Sequence, residues 1–296
     1  MDARSQFART TAHLVDDDPT VAAVYAEISG QLLADVERRH PDRVVNVGIR
    51  EQLLVSIGAG MALAGLRPVV HTFGSFLVER AFEQVKLDFG HQAVGGVLVG
   101  SAGSFDIAAG GRTHQSPGDL ALLDTLPAIS LHAPGNAAET DTTLRAVVAG
   151  SGLHYVRVVG QANALTHPFA PGRFHVVRRG AGATVIALGP VLDAVLAASA
   201  GRDVTVLYAS TVRPFDARGL RSVLGSSDVV LVEPWLAGTS ARHVADALRD
   251  VPHRLLALGV AREEHRHYGT AEQHVAAHGL DAAGIARSLS GFLSPT

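Results

Sequence analysis

The chain has 296 residues, of which 47% are apolar, enough for a large core and, at ~150 residues per domain, for about two domains. With 25 basic and 28 acidic residues the net charge is −3, so there is no excess of positive charge to hold nucleic acid or an anionic membrane surface. The absence of cysteine excludes disulfides, iron–sulfur clusters and thiolate chemistry, and with no signal-peptide core and no long apolar run the expected setting is cytoplasmic, with no membrane span.

Short β-branched runs alternate with longer amphipathic stretches. Strands are predicted at 44–47, 68–72, 94–99, 128–132 and 155–159, and helices at 51–64, 76–89, 117–123 and 136–149. A Gly/Ala/Ser loop covers 100–111. His167-Pro168-Phe169-Ala170-Pro171-Gly172 breaks regular structure and marks a linker. A second series follows, with strands at 184–188, 204–208, 229–232 and 253–258 and helices near 191–198, 216–224, 240–248 and 281–289. Strand–helix alternation with glycine at the junctions predicts two α/β domains with mostly parallel sheets. The expected boundaries are 1–166, a linker over 167–180, and 181–296.

Asn46-Val47-Gly48-Ile49-Arg50-Glu51-Gln52 ends a strand and opens a helix. Ligands of open α/β sheets bind at such strand ends. Glu51 can simply favour a helix start through the macrodipole. The helix that follows, however, is almost wholly apolar or small, and a helix apolar all round is buried. A carboxyl at its start is then poorly solvated, which raises its pKa and suits it to proton exchange.

Four ordered motifs resemble the pyrimidine-binding domain of thiamine-diphosphate enzymes of the transketolase family. They are NVGIREQ, Thr72-Phe73-Gly74-Ser75-Phe76, Arg80-Ala81-Phe82-Glu83-Gln84 and Gly111-Arg112-Thr113-His114-Gln115. Val212-Arg213-Pro214-Phe215-Asp216, Leu231-Val232-Glu233 and Gly279-Leu280-Asp281 resemble the family's C-terminal domain. The resemblance implies that Glu51 hydrogen-bonds the cofactor's aminopyrimidine and that Phe76 stacks on it. Phe73 would line the same pocket, and Glu27 would stand where many relatives carry an Asp near the cofactor. His114, with Gln115 and Arg112, would meet the substrate. Thiamine diphosphate would carry the carbanion chemistry.

No Gly-Asp-Gly occurs in the chain, whereas the family binds the diphosphate and Mg²⁺ through a G-D-G motif followed by an Asn. The resemblance therefore implies one half of a split transketolase, whose partner subunit carries the diphosphate domain and most of the Mg²⁺ contacts, with the halves pairing as α2β2. Gly160 replaces the second Arg of the family's R-x-x-R segment, and Ala108-Ala109-Gly110 replaces an acidic stretch. Both losses point away from a sugar-phosphate substrate. The beta subunit of a 2-oxo acid dehydrogenase, a 1-deoxyxylulose-5-phosphate-synthase-like carboligase and a non-catalytic scaffold remain the other readings. His265-Arg266-His267 lacks a carboxylate or cysteine framework, so no metal site is expected there.

Overall fold

The computed structural model describes residues 1–263, 266 and 268–294. Its first sheet has seven strands in the order β10-β5-β6-β4-β3-β1-β2. They are β1 (Val21–Tyr25), β2 (Val44–Asn46), β3 (Arg67–Phe73), β4 (Gly96–Ser101), β5 (Ile129–His132), β6 (Leu153–Val158) and β10 (Thr211–Arg213). All neighbours are parallel except β10, which joins the edge antiparallel to β5. Every residue of β1 is buried, as expected of a central strand with both faces covered.

Side chains alternate between those faces with the strand's period of two. Val24, Val70 and Leu98 pack with α3 (Glu51–Leu63). Val69, Val97 and Val99 pack with α1 (Ala3–Asp17), α2 (Gly30–Arg39) and α6 (Ala137–Ala149). Asp2 caps α1 by accepting from the Ser5 amide, and Asn136 caps α6 by accepting from the Glu139 amide. Each cap satisfies a helix-end donor that has no intrahelical partner.

The second sheet has the order β12-β11-β8-β9-β7. It comprises β7 (His175–Arg178), β8 (Thr184–Leu188), β9 (Thr205–Ala209), β11 (Asp228–Leu236) and β12 (Arg254–Val260), with only the β7–β9 pairing antiparallel. One face meets α8 (Ala217–Val223) and α9 (Ala241–Ala247); the other meets α7 (Leu192–Ala198), α10 (Ala271–Ala277) and α11 (Ala282–Leu293).

Several elements differ from the sequence expectation. α1, β1 and α2 precede the first strand expected, at Val44. Residues 175–178 of the expected linker form edge strand β7. The helix expected over 76–89 is two π-helical turns, Ser75–Arg80 and Val85–His91, separated by the three-residue α4 (Phe82–Gln84). The short helix near 117–123 is α5 (Asp119–Leu123). α3 is not buried all round: it packs Leu54, Val55, Gly58 and Ala59 inward, while Leu53 is 45% and Leu63 59% exposed. His265 and His267 lie outside the described residues.

Candidate active site

The parallel strands of the first sheet deliver the candidate residues to one edge. Glu27 follows β1, Asn46 ends β2, Phe73 ends β3, Ser101 ends β4, and Gly160 follows β6. That C-terminal edge is where open α/β sheets bind ligands.

Glu51 is the first residue of α3 and is 2% exposed. Its burial is met by an ion pair: Arg80 donates an N–H to Glu51 Oε2 at 2.7 Å. The same guanidinium lies 4.0 Å from the centroid of the Phe76 ring. Phe76 is 5.2 Å from the His114 ring and 6.1 Å from Phe73, and Phe73 is 5.8 Å from His114, all edge-on. A continuous line of contacts therefore runs Glu51–Arg80–Phe76–His114–Phe73.

His114 closes the 3₁₀ segment Ala108–His114, which kinks at Gly111. Gly111 has φ +66°, and a Cβ there would fall 2.7 Å from the Tyr268 ring; one on Gly110 would fall 3.0 Å from His114 Nδ1. Glycine is needed at 111 for both reasons. Thr113 Oγ1 donates to the Gly110 carbonyl at 3.1 Å and lies 2.9 Å from His114 Nδ1. With its one proton spent on Gly110, Thr113 accepts from His114 Nδ1–H, which leaves Nε2 as the lone-pair nitrogen. Among the described residues Nε2 has no hydrogen-bond partner.

The other candidates are placed apart. Glu27 is exposed, with φ 61°, and accepts at Oε2 from Asn46 Nδ2 at 3.2 Å. Arg112 and Gln115 turn from His114 toward the second sheet. There they line a cavity of about 370 Å³ with Leu236, Arg262 and His274. Among the described residues Gln115 Nε2 is buried without a partner, as are the hydroxyls of Thr72, Ser75, Ser101 and Ser116 near the same strand ends.

Three residues near the site were not singled out from the sequence. Arg80 was visible only as the first letter of its motif. Arg4, from α1, donates to Ser29 Oγ at 2.9 Å and approaches the Phe73 ring at 6.0 Å. Asp106 accepts from the Gly160 amide at 2.7 Å and borders, with Arg4, Phe73 and Gly160, a cavity of about 270 Å³. Burial pushes the Asp106 carboxyl up to about 6 against the opposing pull of Gly160 and Arg157. Its loop position carries no pattern that distinguishes it from a surface Asp.

Behind the loop, Arg157 Nε donates to Asp119 at 2.8 Å and its NH2 to Ser104 Oγ at 2.6 Å. Tyr155 OH also donates to Asp119, at 2.9 Å. All four side chains are buried. Arg157 is thus the loop's internal support and is not available to a ligand.

Residues 1–162 match the family model described as transketolase, pyrimidine binding domain. The chain belongs to this family. It is 44% identical over 296 residues to the "Uncharacterized 33.6 kDa protein in fasciation locus" of Rhodococcoides fascians, covering 99% of this chain and 95% of that protein. It is 32% identical to the 1-deoxy-D-xylulose-5-phosphate synthase of Oleidesulfovibrio alaskensis, covering 96% of this chain and 47% of that enzyme. The chain thus spans about half the length of the synthases it matches. Among solved structures it superposes on a split gene transketolase, described as an inactive beta4 tetramer, with a TM-score of 0.86 and 24% identity over 99% of this chain and 98% of that one. It superposes on Campylobacter jejuni transketolase with a TM-score of 0.82 and 15% identity, covering 98% of this chain and 46% of that one. These two likenesses establish the fold. Among the described residues no group of three or more His, Asp or Glu could hold a metal ion, and no helix is long and apolar enough to cross a membrane.

Proposed function

We propose that this chain is the pyrimidine-binding subunit of a two-component, thiamine-diphosphate-dependent transketolase that transfers a two-carbon ketol unit to an aldehyde or related acceptor. The observation that carries the reading is the contact line from Glu51 through Phe76 to His114. It joins a buried carboxyl, an aromatic ring and a histidine at the C-terminal edge of one sheet. When bound, the cofactor supplies a stabilised carbanion at its thiazolium carbon.

Each residue then has a task. Glu51 would hold the pyrimidine ring through a hydrogen bond to its ring nitrogen and supply the carboxyl suited to proton exchange there. Phe76 stacks on the ring, and Phe73 lines its pocket. His114 Nε2 accepts a proton from a substrate hydroxyl or hydrogen-bonds the developing alkoxide through a proton it carries. Arg112 and Gln115 reach the substrate from the neighbouring cavity, and Glu27 stands at the rim. In this reading the pyrimidine domain covers 1–166 and the C-terminal domain 181–296. A partner with G-D-G…N holds the diphosphate and most of the Mg²⁺ coordination in an α2β2 assembly.

The 32% identity to 1-deoxy-D-xylulose-5-phosphate synthase favours a second reading, a decarboxylating carboligase, on the same site. The two separate by donor: a ketose for the first, a 2-oxo acid for the second.

The test is calorimetry of thiamine diphosphate with Mg²⁺, on this chain alone and with a G-D-G partner. Weak binding alone and tight binding together are expected. Tight, Mg²⁺-dependent binding by the chain alone would overturn the two-component reading. In the reconstituted complex Glu51→Gln should lower turnover by roughly 10²-fold or more, the scale of positioned acid–base catalysis. Near-normal turnover would reduce Glu51 to a helix-start residue.

A further inference from the structure

The guanidinium of Arg80 makes two contacts at once. It lies face-on to Phe76 at 4.0 Å and donates to the buried Glu51 carboxyl at 2.7 Å. A planar, delocalised cation is suited to both. An aminopyrimidine ring is also planar, also stacks on an aromatic face, and also hydrogen-bonds a carboxyl group through a ring nitrogen. The two groups compete for the same pair of partners.

We infer that Arg80 is a built-in occupant of the pyrimidine position: in the isolated chain its guanidinium fills the place of the ring and leaves before the ring can bind. This inference rests on the reading of Glu51 and Phe76 given above. Three features support a displaceable occupant over a fixed strut. The Arg80 side chain is 41% exposed, whereas Glu51 is 3% exposed, so the arginine can swing into water while the acid stays. Arg80 ends the π-helical turn Ser75–Arg80, and Ala81 after it leaves helical geometry with φ −108° and ψ 20° before the helix resumes at Phe82, so the arginine sits beside a break in the helix. Among the described residues, Glu51 is the only hydrogen-bond partner of the guanidinium. Closure also serves the chain by itself, since the buried carboxyl would otherwise lie uncompensated.

Apparent affinity falls with the fraction of molecules whose site is open. An ion pair with one exposed partner, together with a cation–π contact, should shut the site by a factor of about 5 to 30. The probe is 4-amino-5-hydroxymethyl-2-methylpyrimidine, which is neutral and lacks both thiazolium and diphosphate. Simple charge repulsion by Arg80 and the missing diphosphate domain therefore do not enter. Ligand-observed NMR titrations would compare the full-length wild type, Arg80→Ala, Arg80→Lys and Glu51→Gln, each with its folding checked by circular dichroism. Arg80→Ala is expected to tighten binding about 5- to 30-fold. Arg80→Lys should fall between, since an ammonium reaches the acid without stacking as a plane. If the pyrimidine binds wild type in a Glu51-dependent way and Arg80→Ala leaves the affinity unchanged or weakens it, the occupant is overturned and the site reading stands. If no protein binds the probe, or Glu51→Gln binds as wild type does, the inference and the pyrimidine site fall together.

Discussion

Asp106 and Gly160 bear on what the site accepts. An arginine at position 160 would start where, among the described residues, a Cβ meets nothing nearer than Asp106, at 3.9 Å. In relatives with that arginine it can grip a phosphate through parallel hydrogen bonds. Glycine offers only its amide, which is already given to the Asp106 carboxyl. The site thus lacks one charge-assisted contact worth ~1.5–3 kcal/mol, about ten- to a hundredfold in affinity. A carboxyl titrating near 6 adds repulsion toward a phosphate at neutral pH. The reconstituted enzyme is expected to favour non-phosphorylated or carrier-bound acceptors. The check is kcat/KM for a sugar phosphate and its dephosphorylated analogue, in wild type and in Arg112→Ala. A thousandfold preference for the phosphate, unchanged in Arg112→Ala, would sink both the Gly160 argument and the role given to Arg112. At the same scale, Glu233 is fully buried and accepts from Trp235 Nε1 at 2.9 Å and the Ser240 amide at 3.2 Å. Burial raises its carboxyl to about 7 despite those donors. A raised pKa means that the folded state holds the proton longer, so this contribution is full below about 4.5 and is lost as pH rises through 7. His71 and His132, buried and lowered to about 3, act in the opposite sense: their contribution is present above 6.5 and is lost as pH falls toward 3. Between about pH 4.5 and 7 wild type should therefore lose stability relative to Glu233→Gln. The total across the Glu233 titration is on the order of 3 kcal/mol, read from melting temperatures at fixed ionic strength. Parallel pH profiles would show that Glu233 is already ionised in the fold.

At the scale of elements, α3 shows how far a sequence pattern reaches. Its composition is apolar on every side, and from that alone burial on every side follows. The helix nonetheless lies on the sheet by one face and touches the 75–91 segment, where Ser56 Oγ donates to Asp88 at 2.6 Å, while Leu53 and Leu63 stay exposed. The buried start at Glu51 was legible because a strand end, a glycine and an apolar helix coincide there. Its partner Arg80 was not, because 29 residues separate them. The two glycines of α3 look equivalent in sequence but differ in space. A Cβ on Gly58 would fall 2.5 Å from a Val70 methyl, with Phe89 at 3.4 Å and Val24 at 3.6 Å; one on Gly60 would meet nothing within 4 Å among the described residues. Gly60→Ala should stabilise by about 0.5–1 kcal/mol through lost unfolded-chain entropy. Gly58→Ala should destabilise by about 1–3 kcal/mol through overpacking against β3. Urea midpoints at unchanged m-value measure both. Shifts of the same sign would mean that α3 does not seat on β3 through Gly58. Two edge strands were missed for a cause of a similar kind. β10 is three residues long and β7 four, too short to display a period, and each is fixed by its pairing with a distant strand.

For the whole molecule the question is whether the two sheets behave as one body. Composition indicated two α/β series, and two sheets are present. What it did not reveal is how the C-terminal series reaches back into the first sheet. Thr211–Arg213 pairs with β5, and Arg213 then clasps Asp124 through two bonds, Nε to Oδ1 at 2.7 Å and NH2 to Oδ2 at 2.9 Å. Burial would raise the Asp124 carboxyl, but hydrogen bonds from His243, Arg213 and Arg242 outweigh it and hold it well below the usual range. A second tie is Glu139, on α6, which accepts from Tyr208 OH of β9 at 2.6 Å. A third is Ser104 Oγ, which donates to the Pro234 carbonyl of β11 at 2.6 Å. One apolar cluster runs from Val24 and Leu54 through Leu131 to Ile186, Leu207 and Trp235 without interruption. Two bodies that share a strand, a buried ion pair and a core lose contacts in both when either opens. The chain should therefore melt in a single calorimetric transition, with calorimetric and van't Hoff enthalpies in agreement. Asp124→Asn leaves the largely buried Arg213 without its charge partner and should cost about 3 kcal/mol or more, lowering that one peak. Two resolved transitions in the wild-type protein, with Asp124→Asn shifting only one, would show that the strand crossing and the shared core do not couple the sheets.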